Sequence, residues 1–90
     1  MTPGEESWST REGDIATESA VLQLVLDLHP TLLTLAELVR EVAGEDAPFA
    51  ERDSVERAVR DLVGAGLLHN NEGFAIPTRA ALRFSELLDR

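Results

Sequence analysis

The 90-residue chain has no cysteine, and all eight of its basic residues are arginine. Without cysteine there is neither a disulfide framework nor a thiolate metal site. That is compatible with a reducing compartment. No apolar run approaches the roughly 20 residues that span a bilayer. The opening stretch, MTPGEESWSTREGD, is acidic and polar. It has neither a basic n-region nor an apolar h-region, so it does not read as a signal peptide. The expectation is a cytoplasmic protein with no membrane association. Chemistry-bearing motifs are also missing. The two histidines, His29 and His69, lie far apart in sequence. There is no Gly-rich phosphate loop, no HExxH pair and no calcium-loop spacing. Glu45, Asp46, Glu51 and Asp53 follow no standard cation loop. The residues therefore point away from an enzyme, and they suggest no cofactor and no small-molecule ligand.

What is present is acid. The net charge is −9, and it is unevenly spread. Residues 1–20 and 21–50 each carry five acids and one arginine, whereas residues 51–90 carry seven acids and six arginines. Positive charge is thus concentrated in the C-terminal half. Phosphate repels an acidic chain at long range, so any nucleic-acid contact must work through a local patch. Ninety residues fit one domain, and a core this small benefits from oligomerisation.

Residues 1–13 read as a flexible arm, with Pro3, Gly4 and Gly13 among polar residues. Trp8 is its one large apolar side chain and a candidate for docking on this subunit or a neighbour. Residues 14–90 read as the domain. Helix 1 is expected from Ile15 to Leu28, capped by Asp14 or Thr17. It is apolar around most of its circumference, and His29-Pro30 ends it. Thr34-Leu35-Ala36-Glu37 has the capping-box pattern, so helix 2 is expected over Leu35–Ala43, with Leu35, Leu38, Val39 and Val42 buried and Gly44 as its stop. Residues 44–52 read as a loop that sends Phe49 into the core. A second capping box, Asp53-Ser54-Val55-Glu56, would start helix 3. Val55, Ala58, Val59, Leu62 and Val63 follow at helical spacing, and Gly64 and Gly66 bracket the end. Leu67-Leu68-His69 and Phe74-Ala75-Ile76 flank Asn70-Asn71-Glu72-Gly73 as a β-hairpin. Pro77 ends its second strand. Thr78 caps a final helix to about Leu88, apolar on more than one face.

This order gives an α+β chain, mostly helical. It resembles the winged helix-turn-helix domain of bacterial transcriptional regulators such as phenolic-acid and multiple-antibiotic-resistance repressors. The likeness is carried by Thr34-Leu-Ala-Glu-Leu, by VERAVRDLVGAGLL over Val55–Leu68, and by Pro77-Thr78. It covers roughly residues 15–88. Helix 3 must end on glycine so that the chain can turn into the first strand, a device open to other small α+β domains as well. The resemblance implies a three-helix core, a short hairpin wing and a C-terminal helix. It also implies that helix 3 enters the major groove of double-stranded DNA while the wing touches the flanking backbone.

Opposite Val55, Val59 and Leu62 lie Asp53, Arg57, Arg60, Asp61 and Gly64. Arg57 and Arg60 are the candidates for base or phosphate contact. Arg52, Ser54, Asn70 and Asn71 are candidates for phosphate. The competing reading is an ordinary solvated face, with Glu56–Arg60 and Arg57–Asp61 as i,i+4 ion pairs. Arg79 and Arg83 share a face of the last helix. Over-apolar terminal helices suggest a homodimer, with Trp8, Leu22, Leu26, Phe84 and Leu87 as candidate interface residues. Two functions stay open. One is a dimeric DNA-binding regulator. The other is a protein-interaction module that does not bind DNA.

Overall fold

A computed structural model gives the backbone of residues 3–89 and the side chains of residues 12–89. The elements run α1 (Pro3–Leu28), β1 (Leu33–Thr34), α2 (Leu35–Ala43), α3 (Phe49–Gly64), β2 (Leu68–Asn71), β3 (Phe74–Pro77) and α4 (Arg79–Leu88). The chain is α+β and mostly helical. Its three strands form one antiparallel sheet in the order β1-β3-β2.

α1 begins at Pro3 rather than at Ile15, so the expected division at residue 13 does not coincide with a break in the helix. Thr17 does not cap it. Its hydroxyl donates to the carbonyl of Gly13, one turn back, at 2.9 Å, a bond available only inside a helix. From α1, Val21 and Val25 are buried at i,i+4, with Leu22 and Leu24 packed beside them. The other expected core residue at its start, Ile15, is exposed.

α2 has the expected bounds because its cap closes as the sequence indicates. The Thr34 hydroxyl accepts from the Glu37 amide at 3.1 Å, and the Glu37 carboxylate accepts from the Thr34 amide at 3.0 Å. These bonds satisfy donors that the first helical turn cannot pair internally. Leu38 is its fully buried residue, and Leu35, Val39 and Val42 flank it, half-buried.

α3 corrects two expectations. It starts at Phe49, behind Pro48 as N-cap and with no side-chain cap bond. The amides of Glu51 and Arg52 donate to the Pro48 carbonyl, so the turn that carries Asp53 is already helical and no second capping box forms. Phe49 is not a core plug. It sits on the first turn, 76% exposed, because the helix points it away from α1 and α2. Val55, Ala58, Val59 and Leu62 are buried as their spacing requires, whereas Val63 falls at the edge of that stripe, 37% exposed.

The exit from α3 is a Schellman turn. The Leu67 amide donates to the Leu62 carbonyl at 2.9 Å, and the Gly66 amide donates to Val63 at 3.1 Å. Gly66 takes φ +83, the left-handed conformation that glycine adopts without a Cβ penalty. The chain then enters β2 with Leu68 buried. β2 and β3 pair from Leu68↔Pro77 to Asn71↔Phe74. Their two-residue turn, Glu72-Gly73, has positive φ at both positions (53 and 85), the type I′ geometry that matches strand twist. β1 adds to the other edge of β3 through Leu33↔Ala75 and Thr34↔Phe74.

The core is one cluster in which residues of α1, α2 and α3 meet Leu33, Leu68 and Ala75 of the sheet. Full burial of side chains such as Leu38 and Leu68 contributes roughly 1.5–3 kcal/mol each. α4 touches this cluster lightly. Ala81 is its buried residue, while Phe84, Leu87 and Leu88 remain 61%, 55% and 68% exposed.

Candidate functional site

The buried stripe of α3 fixes which of its side chains face outward. Arg52, Glu56, Arg57, Arg60 and Asp61 are exposed, as are His69, Asn70 and Asn71 of the hairpin. Arg60 and Asn70 come together. With Leu35, Glu56, Val59 and Val63 they line a shallow depression of about 220 Å³ where α3, the start of α2 and the hairpin converge. Asn71 is the last residue of β2, paired with Phe74 beside the turn. Arg52 is exposed one turn beyond Pro48, near the start of α3.

Arg57 has a different environment. Its Nη2 lies 3.6 Å from an Asp14 carboxylate oxygen of α1, and its Nε lies 3.4 Å from Asp53. It therefore ties α3 to α1. The expected Arg57–Asp61 pair is replaced by Arg57–Asp53. An acid one turn N-terminal to its cation is the better orientation, and it also complements the helix dipole. Among the described residues, no ion pair joins Glu56 to Arg60 within 4 Å. These are surface pairs of modest strength, but they place two carboxylates against a guanidinium that the sequence offers as a candidate for base or phosphate contact. The Asp14 contact was invisible to sequence spacing, because it depends on how α1 crosses α3.

Ser54 is also separated from Arg60. It is half-buried on the α1–α2 side of α3, in a recess with Thr17, Val42, Ala43, Glu51 and Val55. The candidates thus fall into two groups. Arg52, Arg60, Asn70 and Asn71 are exposed, and among the described residues no carboxylate lies within ion-pairing distance of either arginine. Arg57 and Ser54 face neighbouring elements of their own chain.

Of the candidate interface residues, Leu22, Leu26 and Phe84 line an open groove of about 310 Å³ between α1 and α4, edged by Asp27 and Asp89. Leu87 stands outside the groove on the exposed side of α4. Trp8 lies outside the residues whose side chains are described. Among the described residues, no group of three metal-ligating side chains is close enough to hold an ion, and no helix is long and apolar enough to cross a membrane.

Glu37 has a structural role. Two hydrogen bonds from Thr34, first from its amide and then from its hydroxyl, hold the Glu37 carboxyl below the usual glutamate range, with Arg40 adding a smaller attraction. Comparisons of the chain with protein-family models, curated proteins and solved structures found no match.

Proposed function

We propose that the chain is a winged helix-turn-helix domain of a cytoplasmic, DNA-binding transcriptional regulator that acts as a homodimer. The observation that carries the reading is the β1-β3-β2 sheet, whose β2-β3 hairpin directly follows α3 and leaves α3 and the hairpin side by side on one exposed surface. On that surface Arg60 and Asn70 line a common depression. In this reading α3 enters the major groove, Arg60 contacts a base edge or phosphate, and Asn70 and Asn71 contact flanking phosphates. Arg52 adds a phosphate contact beside the helix. No catalytic group and no cofactor form part of the proposal.

The test is a duplex-DNA titration across salt concentrations. With two arginines per subunit releasing counterions, log K is expected to fall with log salt at a slope of about −2 per subunit. The combined Arg52→Ala and Arg60→Ala variant is expected to lose most of that slope. Absence of binding at low salt, or an unchanged slope in the variant, defeats the proposal.

A specific observation favours a second reading, a winged-helix protein-interaction module. Arg57 is held by Asp14 and Asp53, Glu56 shares the depression with Arg60, and Glu72 sits at the hairpin tip. A mixed surface of this kind suits a protein partner better than a polyanion. The same titration separates the two, since this reading requires no duplex binding at any salt.

A further inference from the structure

We infer that Phe49 is a specificity-determining residue whose ring packs on the C5-methyl group of a thymine in the major groove. The assignment deepens the DNA reading above and rests on it.

Phe49 is the most exposed large apolar side chain among the described residues, at 76%. It sits on the first turn of a 16-residue helix, behind Pro48. At that exposure the ring contributes little to the core, and contact with a partner recovers the apolar area it leaves in water.

Its place on α3 selects the partner. Phe49, Arg52, Glu56, Arg60 and Val63 follow one another at intervals of three, four, four and three residues, and all are exposed. At about 3.6 residues per turn they form one row along the outward side of α3. The row starts at Phe49 and passes through both arginines proposed above for DNA contact. Toward its other end, Arg60 and Val63 adjoin Asn70 of the hairpin. Among the described residues, neither Arg52 nor Arg60 has a carboxylate within ion-pairing distance, which favours a polyanion as the occupant. Glu56 stands between them and is repelled by phosphate, which weakens binding to duplexes of every sequence and leaves discrimination to base contacts.

A recognition helix carries its N-terminal residues to the base edges. Phe49 and Arg60 are separated by about 16 Å along the helix axis, roughly five base-pair steps, so ring and guanidinium address different base pairs. In the major groove guanine, adenine and cytosine present hydrogen-bonding groups, and thymine adds a methyl group. A ring set against polar atoms strips their water and returns no hydrogen bond. Set against the methyl group, it buries apolar surface on both sides.

Selection of the full chain against a randomised duplex pool at low salt, followed by titration of the selected duplex, tests the inference. A position fixed as thymine is expected, and its enrichment is expected to vanish when Phe49→Ala is used for selection. Replacing that thymine by deoxyuridine removes only the methyl group. For the wild-type chain this is expected to weaken binding about fourfold per contact, and a change to cytosine at least about fivefold. Phe49→Ala is expected to bind the thymine and deoxyuridine duplexes equally, because the two deletions remove one shared contact. Phe49→Leu is expected to keep part of the difference. The urea midpoint of Phe49→Ala should match wild type, as the exposure of the ring requires, and so should its salt slope, since no charge is lost. A thymine preference that survives Phe49→Ala, a wild-type chain indifferent to the methyl group, or a lowered midpoint overturns the inference and leaves the DNA reading standing. Absence of binding to any duplex overturns both and leaves the ring to a protein partner.

Discussion

The Thr78 hydroxyl donates to the carbonyl of Gly66 at 2.8 Å while accepting from the amide of Ala81 at 3.1 Å. One buried side chain thus caps α4 and fastens it to the turn that ends α3. The Thr78 amide, donating to Leu67 at 3.0 Å, completes the clasp. Thr78→Val keeps the shape but leaves the Gly66 carbonyl and the Ala81 amide unpaired by this side chain. It is expected to cost about 1–3 kcal/mol, read as a lower urea midpoint. An unchanged midpoint would mean that the clasp contributes nothing to stability.

The capping box at α2 predicts an acid response. The folded state favours ionised Glu37, so its contribution is full above the ordinary glutamate value of 4.5 and is lost as pH falls through the lowered folded value. Glu37→Gln is expected to flatten the stability profile across that window. Thr34→Ala is expected to return the Glu37 titration toward the ordinary range by NMR and to cost about 1 kcal/mol of stability at neutral pH.

Glu72 occupies a position better suited to asparagine, with φ of 53. Glu72→Asn is expected to stabilise the chain by a few tenths of a kcal/mol up to about 1. Gly73→Ala, at φ +85 and with open space around the added methyl, is expected to cost about 1–2 kcal/mol through backbone strain alone. Thermal unfolding of the two variants in parallel measures both signs. A neutral Gly73→Ala would argue against the turn geometry.

On the DNA reading, Arg57 is held in reserve by its two carboxylates. Arg57→Ala should then change affinity little. Asp14→Asn should strengthen binding and steepen the salt slope by about 0.9 if the released guanidinium reaches a phosphate. Equal losses for Arg57→Ala and Arg60→Ala in a duplex titration would contradict the division between these residues.

Local signals in the sequence served best where the physics is local. The Thr34–Glu37 box set the bounds of α2, the spacing of Val55, Ala58, Val59 and Leu62 gave the buried face of α3, and Gly66 marked the turn into the hairpin. At the start of α3, Asp53-Ser54-Val55-Glu56 imitates a cap, whereas Pro48 already fits the N-cap with φ −58. Hydrophobicity alone places Phe49 in the core. Once its turn is helical, its direction follows from the helix and not from its side chain. The site was legible as a set of exposed arginines. Their inequality was not, since the Asp14–Arg57 contact joins residues of two helices, and no one-dimensional period encodes a crossing.

The third strand has a mechanical consequence. β1 grips the far edge of β3, and the Leu35 amide reaches the Gly73 carbonyl at the hairpin tip at 3.4 Å. The hairpin is therefore anchored at its tip as well as at its base, and the anchor is the N-terminus of α2. The separation between Asn71 and Arg60 is then set before any partner arrives. Association through this surface should carry little ordering entropy, and a partner must match a rigid gauge rather than be followed by a bending arm.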